Sequence, residues 1–142
     1  MILTKPDRNQ YVQCLNINRA CFPTDERAPD GVFFNHWDNG TVFVSCEDDK
    51  IVGFAIVTML AGEPFVWTIA VLPEYRGQGI GGDLLYEIWQ WAQQKGERFI
   101  DLTVKTSNPA QKLYFDSGYR VVKFLRRYYL GGGDGLLMRR TV

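Results

Sequence analysis

The chain has little that would hold a metal or a disulfide framework. Its three cysteines, Cys14, Cys21 and Cys46, are an odd number in 142 residues, and no two stand in CxxC spacing. Neither a disulfide scaffold nor a zinc site fits them, and a reducing cytoplasm is the expected setting. A single histidine, His36, gives no basis for His-based metal chemistry. Charge of one sign is missing too: Lys plus Arg equals Asp plus Glu at 16 each. That balance excludes a global basic field for nucleic acid. No apolar run approaches the roughly 20 residues of a membrane span. The opening MILTKPDRNQ lacks the apolar core of a signal peptide. There is no repeat, low-complexity tract or linker, so residues 1–142 are expected to form one domain.

What remains is ordinary globular material with one unusual stretch. Hydrophobic residues make up 46% and charged residues 23% of the chain, enough for a real core. The apolar spacing in residues 7–20 predicts a helix. The turn-rich 21–31 follows, then a short helix over 32–40. Alternating and β-branched residues predict strands over 41–48, 51–60 and 64–72. Residues 80–94 carry Ile80, Leu84, Leu85, Ile88, Trp91 and Ala92 on one helical face, and Lys95-Gly96 ends it. A strand is expected over 98–105. Asn108-Pro109 is expected to open a short helix to Ser117, with proline at its first position. Two strands, 119–125 and 135–140, close the chain around a glycine-rich loop. This order implies an α/β or α+β fold with a mixed sheet and packed helices, and a crossover between parallel strands around Phe65–Lys105.

Between the third strand and the long helix runs VLPEYRGQGIGGDLL, with four of the chain's 14 glycines in six residues. A helix N-terminus presents backbone N–H groups without internal partners, and glycine lets a phosphate come close to them. A P-loop is excluded, since Asp83 follows Gly82 where GxxxxGK[ST] needs lysine. A dinucleotide pattern, Gly77-x-Gly79-x-x-Gly82, is present but weak alone. The stronger match is Arg76-x-x-Gly79-x-Gly81, the [QR]xxGx[GA] signature after a strand.

In these residues, and in the later NPAQKLYFDSGY, the chain resembles the GNAT superfamily of acetyl-coenzyme A-dependent N-acetyltransferases. Phe22-Pro23 and RRYYLGGGDGLLM (126–138) are similar to its protein N-terminal acetyltransferases, the ribosomal-protein alanine group in particular. The resemblance implies a mixed, largely antiparallel central sheet with a splayed parallel pair, flanked by helices. It implies acetyl-CoA as cosubstrate. The backbone of Ile69, Ala70 and Val71 would bind pantetheine. The N–H groups of Arg76, Gly77, Gln78, Gly79, Ile80, Gly81 and Gly82 would hold the pyrophosphate, with Arg76 adding charge or fixing the loop. Asn108 would touch the cosubstrate, or Ser107 if the motif is anchored on Ala110 and Tyr114. A backbone N–H of Ile69 or Val71 would polarise the thioester carbonyl, and Tyr114 would protonate the departing thiolate. Phe22, Pro23, Tyr128 and Tyr129 would bind the acceptor. The family's strand base, Glu or His, is replaced by Thr103, which is too weak a base and could only orient a water. Asp101 shares its face two residues away, and Asp25 and Glu26 are further candidates. Without a base, an α-amine near pKa 7.7–8.0 is favoured over lysine near 10.4. The expected partners are acetyl-CoA and an amine, with a protein N-terminus as acceptor, in a monomer or homodimer. Alternative acceptors are polyamines or aminoglycosides, and a non-catalytic acyl-CoA sensor stays open.

Overall fold

The computed structural model describes residues 1–3, 6–23 and 28–142. Two candidate bases, Asp25 and Glu26, lie outside the described residues. The elements run β1 (Ile2–Leu3), α1 (Arg8–Cys21), α2 (Asp30–Asn39), β2 (Thr41–Glu47), β3 (Lys50–Leu60), β4 (Glu63–Val71), α3 (Ile80–Gln94), β5 (Phe99–Lys105), α4 (Gln111–Asp116), β6 (Arg120–Leu125) and β7 (Gly135–Thr141). A single 3₁₀ turn, Pro73–Tyr75, precedes α3. The strands form one sheet in the order β1-β2-β3-β4-β5-β7-β6. Every neighbouring pair is antiparallel except β4 and β5.

Three expectations need correction. The two-residue β1, paired through Ile2 with Phe43, is an added strand. Helix α4 starts at Gln111, later than Pro109, because Asn108 Oδ1 accepts the Ala110 N–H at 2.8 Å and forms a local turn first. The short helix expected over 32–40 runs Asp30–Asn39 as α2, while Tyr128 and Tyr129 sit, as the strand bounds imply, in the loop between β6 and β7.

Local chemistry explains the main elements. Asp7 caps α1 in a reciprocal box: Gln10 N–H donates to Asp7 Oδ1 at 2.8 Å, and Asp7 N–H donates to Gln10 Oε1 at 2.9 Å. Strand β3 is apolar on both faces because both are covered. Phe54 and Ile56 meet Leu15, Phe33 and Trp37 of α1 and α2. Ala55 and Val57 meet Leu84, Leu85 and Ile88 of α3. Each such fully buried Leu or Ile contributes about 1.5–3 kcal/mol of transfer free energy. Helices α1 and α2 therefore cover one face of the sheet, and α3 with α4 the other. No helix among the described residues is long and apolar enough to cross a membrane.

Candidate active site

The site begins with a defect in β4. Ile56 pairs with Thr68 but Val57 pairs with Val66, so Trp67 is an extra residue on β4. This β-bulge bends the strand and changes its side-chain alternation. Val66, Ile69 and Val71 all join the α3-side cluster, while Trp67 and Ala70 face α1 and α2. Leu72 N–H donates to Val52 O at 2.9 Å, so this pair stands at a hydrogen-bonded position of the ladder. By alternation, Ala70 also bonds to β3, and the N–H and C=O groups of Ile69 and Val71 point away from it.

They point toward β5, and β5 does not meet them. Among the described residues the two parallel strands are bridged at one pair only, Phe65 with Asp101. Beyond that pair the C-terminal parts of both strands are unbridged, which leaves a gap with free backbone groups along one wall. The Val71 carbonyl is already taken: Arg76 Nε donates to it at 3.0 Å and the Cys21 thiol at 3.3 Å. The neighbouring Arg76 guanidinium partly offsets the upward push of burial on the Cys21 thiol's pKa. Of the two roles weighed for Arg76, the geometry displays the loop-fixing one. By this alternation, and among the described residues, the groups left facing the gap are the N–H and C=O of Ile69 and the N–H of Val71.

The glycine loop closes one end of the gap. Gly77 and Gly79 have φ of +78° and +84°, and a Cβ on either would meet nothing within 4 Å. They are glycines for conformation, and the space over them is open. Gly79 caps α3 without any side-chain hydrogen bond, so the first N–H groups of the helix, from Ile80 through Gly82, stay available. Gly81 is glycine for packing: a Cβ there would lie 3.0 Å from Leu113 Cδ2 of α4. Free amides on β4 and an uncapped, glycine-lined helix start fit a ligand with amide groups and a pyrophosphate, as the pantetheine diphosphate of coenzyme A has.

On α4, Tyr114 is 8% exposed and packs in the cluster that contains Ile69, Val71, Ile80 and Leu113. Burial pushes its pKa up to about 12, with the nearby Tyr129 a lesser cause. A phenol so placed stays protonated at neutral pH. The Tyr129 pKa is also raised by burial, which the neighbouring Thr103 side chain partly offsets. Tyr129 thus neighbours both Thr103 and Tyr114. Asp101 is elsewhere engaged: Arg139 Nε and Nη2 donate to its two oxygens at 2.7 and 3.0 Å. The Arg139 guanidinium lies 3.6 Å from the Phe99 ring centroid. Asp101, a candidate base from the sequence, is thus held in a salt bridge with Arg139. Asn108 is exposed, and its Oδ1 is spent on the turn before α4. Phe22 caps the end of α1 and packs against the α1–α2 cluster, and Pro23 is exposed beside it. Tyr128 is 52% exposed and meets Tyr129 edge-on.

Several contributors escape the sequence reading. The Trp67 bulge lies in an unbroken apolar run where no alternation reveals a slip. Cys21 and Arg139 act through partners 50 and 38 residues away. Gly135 stands against the Tyr129 ring; the glycine-rich tract 131–135 was the available signal.

Comparison with known proteins agrees with this geometry. Residues 11–119 match the model of the Acetyltransferase (GNAT) family. The chain is 38% identical over 151 aligned positions to "N-alpha-acetyltransferase RimI" of Mycobacterium tuberculosis, covering 97% of this chain and 89% of that protein. It is 36% identical over 83 residues to the "[Ribosomal protein bS18]-alanine N-acetyltransferase" of Haemophilus influenzae, and that match spans 58% of this chain and only 57% of the relative. The crystal structure of the Escherichia coli ribosomal-protein-S18-alanine N-acetyltransferase superposes with a TM-score of 0.84 at 22% identity, over 100% of this chain and 94% of that one. A bulged β4 splayed from β5, an uncapped helix behind glycines, and this family match together make the chain a member of the acetyltransferase (GNAT) family, whose acyl donor is acetyl-CoA.

Proposed function

We propose that the chain transfers an acetyl group from acetyl-CoA to the α-amine of a protein or peptide N-terminus, working in the cytoplasm as a monomer or homodimer. The observation that carries this is the chemistry of the acceptor side: Thr103 stands where a base would be useful, and Asp101 is held at both oxygens by Arg139. Such a site favours an amine that arrives neutral. At pH 7.5 about a third of α-amines are neutral, against roughly one lysine side chain in a thousand. The difference predicts a preference of about two orders of magnitude. The similarity to the Mycobacterium tuberculosis N-alpha-acetyltransferase over 97% of the chain supports the same acceptor.

The residues divide the work. The N–H groups of Ile69 and Val71 bind the amide-bearing arm, and one of them polarises the carbonyl under attack. Loop amides from Arg76 to Gly82 hold the diphosphate, helped by the positive end of α3. Arg76 keeps the end of β4 in place. Tyr114 donates its proton to the departing thiolate; the amine loses its own proton to water. Tyr128, Phe22 and Pro23 flank the acceptor, and Asn108 is a backbone-turn residue beside the cosubstrate.

Thiol release from acetyl-CoA tests the reading. Peptides starting with Ala or Ser should react, while N-blocked peptides with an internal lysine should be about a hundredfold slower. Tyr114→Phe should lower kcat by about 10²–10³ while acetyl-CoA binding is retained. Equal rates on both peptide classes, or turnover only of polyamines or aminoglycosides, would sink the acceptor assignment. Binding of acetyl-CoA with no turnover of any amine would mark the chain as a sensor.

A further inference from the structure

Among the described residues, four that are not glycine have a positive φ, and one of them lacks the ordinary reason. Asp48, Asp49 and Ala61 fill the two-residue turns of the β2–β3 and β3–β4 hairpins, where that conformation is the favoured one. Arg127, with φ of +48°, stands instead in the 126–134 loop between β6 and β7. A left-handed arginine is strained and persists only where its surroundings hold it. The holder is Asp134: the Arg127 N–H donates to Asp134 Oδ1 at 2.8 Å. The carbonyl of the same aspartate accepts the Thr106 N–H at 3.0 Å. Thr106 follows β5, and its own carbonyl accepts Gln111 Nε2 at 2.6 Å. Gln111 is the first residue of α4, the helix that carries Tyr114. A chain of bonds thus runs from the β6–β7 loop through Asp134 and Thr106 to α4.

What this clip sets in place is the aromatic pair just after Arg127. Tyr128 and Tyr129 meet edge-on at 5.0 Å. A Cβ on Gly135 would lie 3.0 Å from Tyr129 Cε2 and 3.6 Å from Tyr128 Cβ, so both stand against the first residue of β7. Gly135 pairs with Lys105 at the end of β5, and Lys105 Nζ lies 5.5 Å from the Tyr129 ring centroid. That end of β5 is beyond its one bridge to β4, across the gap from Ile69 and Val71. We propose that Asp134 is a positioning residue for the acceptor: its carboxylate holds Arg127 left-handed and its carbonyl ties that turn to the end of β5, so that Tyr128 stands preformed beside the amine and fixed relative to Tyr114. The proposal rests on the amine-transfer reading above, in which Tyr128 flanks the acceptor. Asp134 touches neither substrate nor reacting atoms. Its effect is on population: a site competent in one loop conformation binds more weakly by the fraction of time spent out of it. Without the carboxylate, the left-handed turn costs an L-residue about 5- to 30-fold in population. Acceptor affinity falls by that factor, and the chemistry of the bound complex stays as it was.

The test separates acceptor KM from kcat and asks whether glycine can replace the clip. Wild type, Asp134→Ala, Asp134→Asn, Arg127→Gly and the double variant Asp134→Ala/Arg127→Gly are assayed on the amine that wild type turns over best. Acetyl-CoA affinity is measured by calorimetry in each. Asp134→Ala should raise acceptor KM about 5- to 30-fold, with kcat and acetyl-CoA affinity within about twofold of wild type. A merely structural role would lower the folded fraction, and with it kcat, and leave KM alone. Asp134→Asn keeps an oxygen acceptor and should stay within about threefold of wild type. Arg127→Gly should do the same. In the double variant it should restore most of the lost KM, because glycine takes a positive φ without a holder. An Asp134→Ala enzyme with wild-type KM overturns the proposal, as does a double variant no better than Asp134→Ala. Thermal melts identify an Asp134→Ala chain that fails to fold. Arg127→Val then decides with Asp134 intact: a β-branched residue resists the left-handed turn, so its acceptor KM should rise above that of Arg127→Gly, and equality of the two overturns the proposal. Failure of wild type on free N-termini would overturn the acceptor reading only, since these assays run on the preferred amine in either case.

Discussion

Replacing Gly79 by alanine isolates the backbone conformation that opens the diphosphate site. Gly79 has φ +84° and ψ 6°, and nothing lies within 4 Å of a Cβ built on it. There is no clash, so the cost is conformational. A left-handed alanine costs about 1–2 kcal/mol, and in a chain near 150 residues each kcal/mol lowers Tm by about 2–4 °C. Gly79→Ala should therefore melt about 2–8 °C lower. The strain can also be relieved by turning the peptide, which swings the Ile80 N–H away from the bound anion. Losing one charge-assisted hydrogen bond, at about 1.5–3 kcal/mol, weakens acetyl-CoA binding about 10- to 100-fold. Gly96 provides the control. Its φ is +73°, it too has open space, and it stands at the far end of α3, about 22 Å away for a 15-residue helix. Gly96→Ala should lose similar stability and no acetyl-CoA affinity. Calorimetric melts and titrations read both quantities. If Gly79→Ala melted like wild type and bound acetyl-CoA within twofold, the link drawn between this backbone conformation and anion binding would be refuted.

The pH profile and the salt bridge give two more tests. With Tyr114 pushed up to about 12, its acid form persists, so kcat/KM for an Ala-starting peptide should rise with pH through the α-amine range of 7.7–8.0 and stay level to pH 10. A falling limb below pH 9 would assign the thiolate proton to another group. Asp101→Asn should leave that profile unchanged and cost about 1 kcal/mol of stability, a modest figure because Arg139 is one-third exposed. Loss of the rising limb in that variant would restore Asp101 as the base.

The legible parts were those whose cause is local. Helix α3 was readable to the residue because its apolar stripe, the glycines before it and Gly96 after it all lie within 20 positions. The place of Thr103 on β5 was readable because that strand alternates cleanly; that a base is replaced there is what the family resemblance implies. The boundary of α4 was misplaced because Pro109 suits a helix start, and a side-chain turn at Asn108 came first. Strand β1 has two residues, too few for any periodicity, and exists because β2 offers an edge. The partnership of Asp101 with Arg139 depends on a sheet register across 38 positions, and that of Cys21 with Val71 on the packing of α1 against β4 across 50. No short window of sequence contains either.

One consequence of the Trp67 bulge concerns length. The extra residue decides which peptide groups of β4 turn into the gap and which are consumed by β3. It acts as a frame marker. Exchanging Ile69 or Val71 for other apolar residues leaves the amides addressed to the cosubstrate where they are. Deleting one residue between Val66 and Ile69 would reverse them, sending the free groups into the ladder and the paired ones into the cleft. What this wall of the site spells is written in the counting of its residues, and their side chains are nearly free to vary around it.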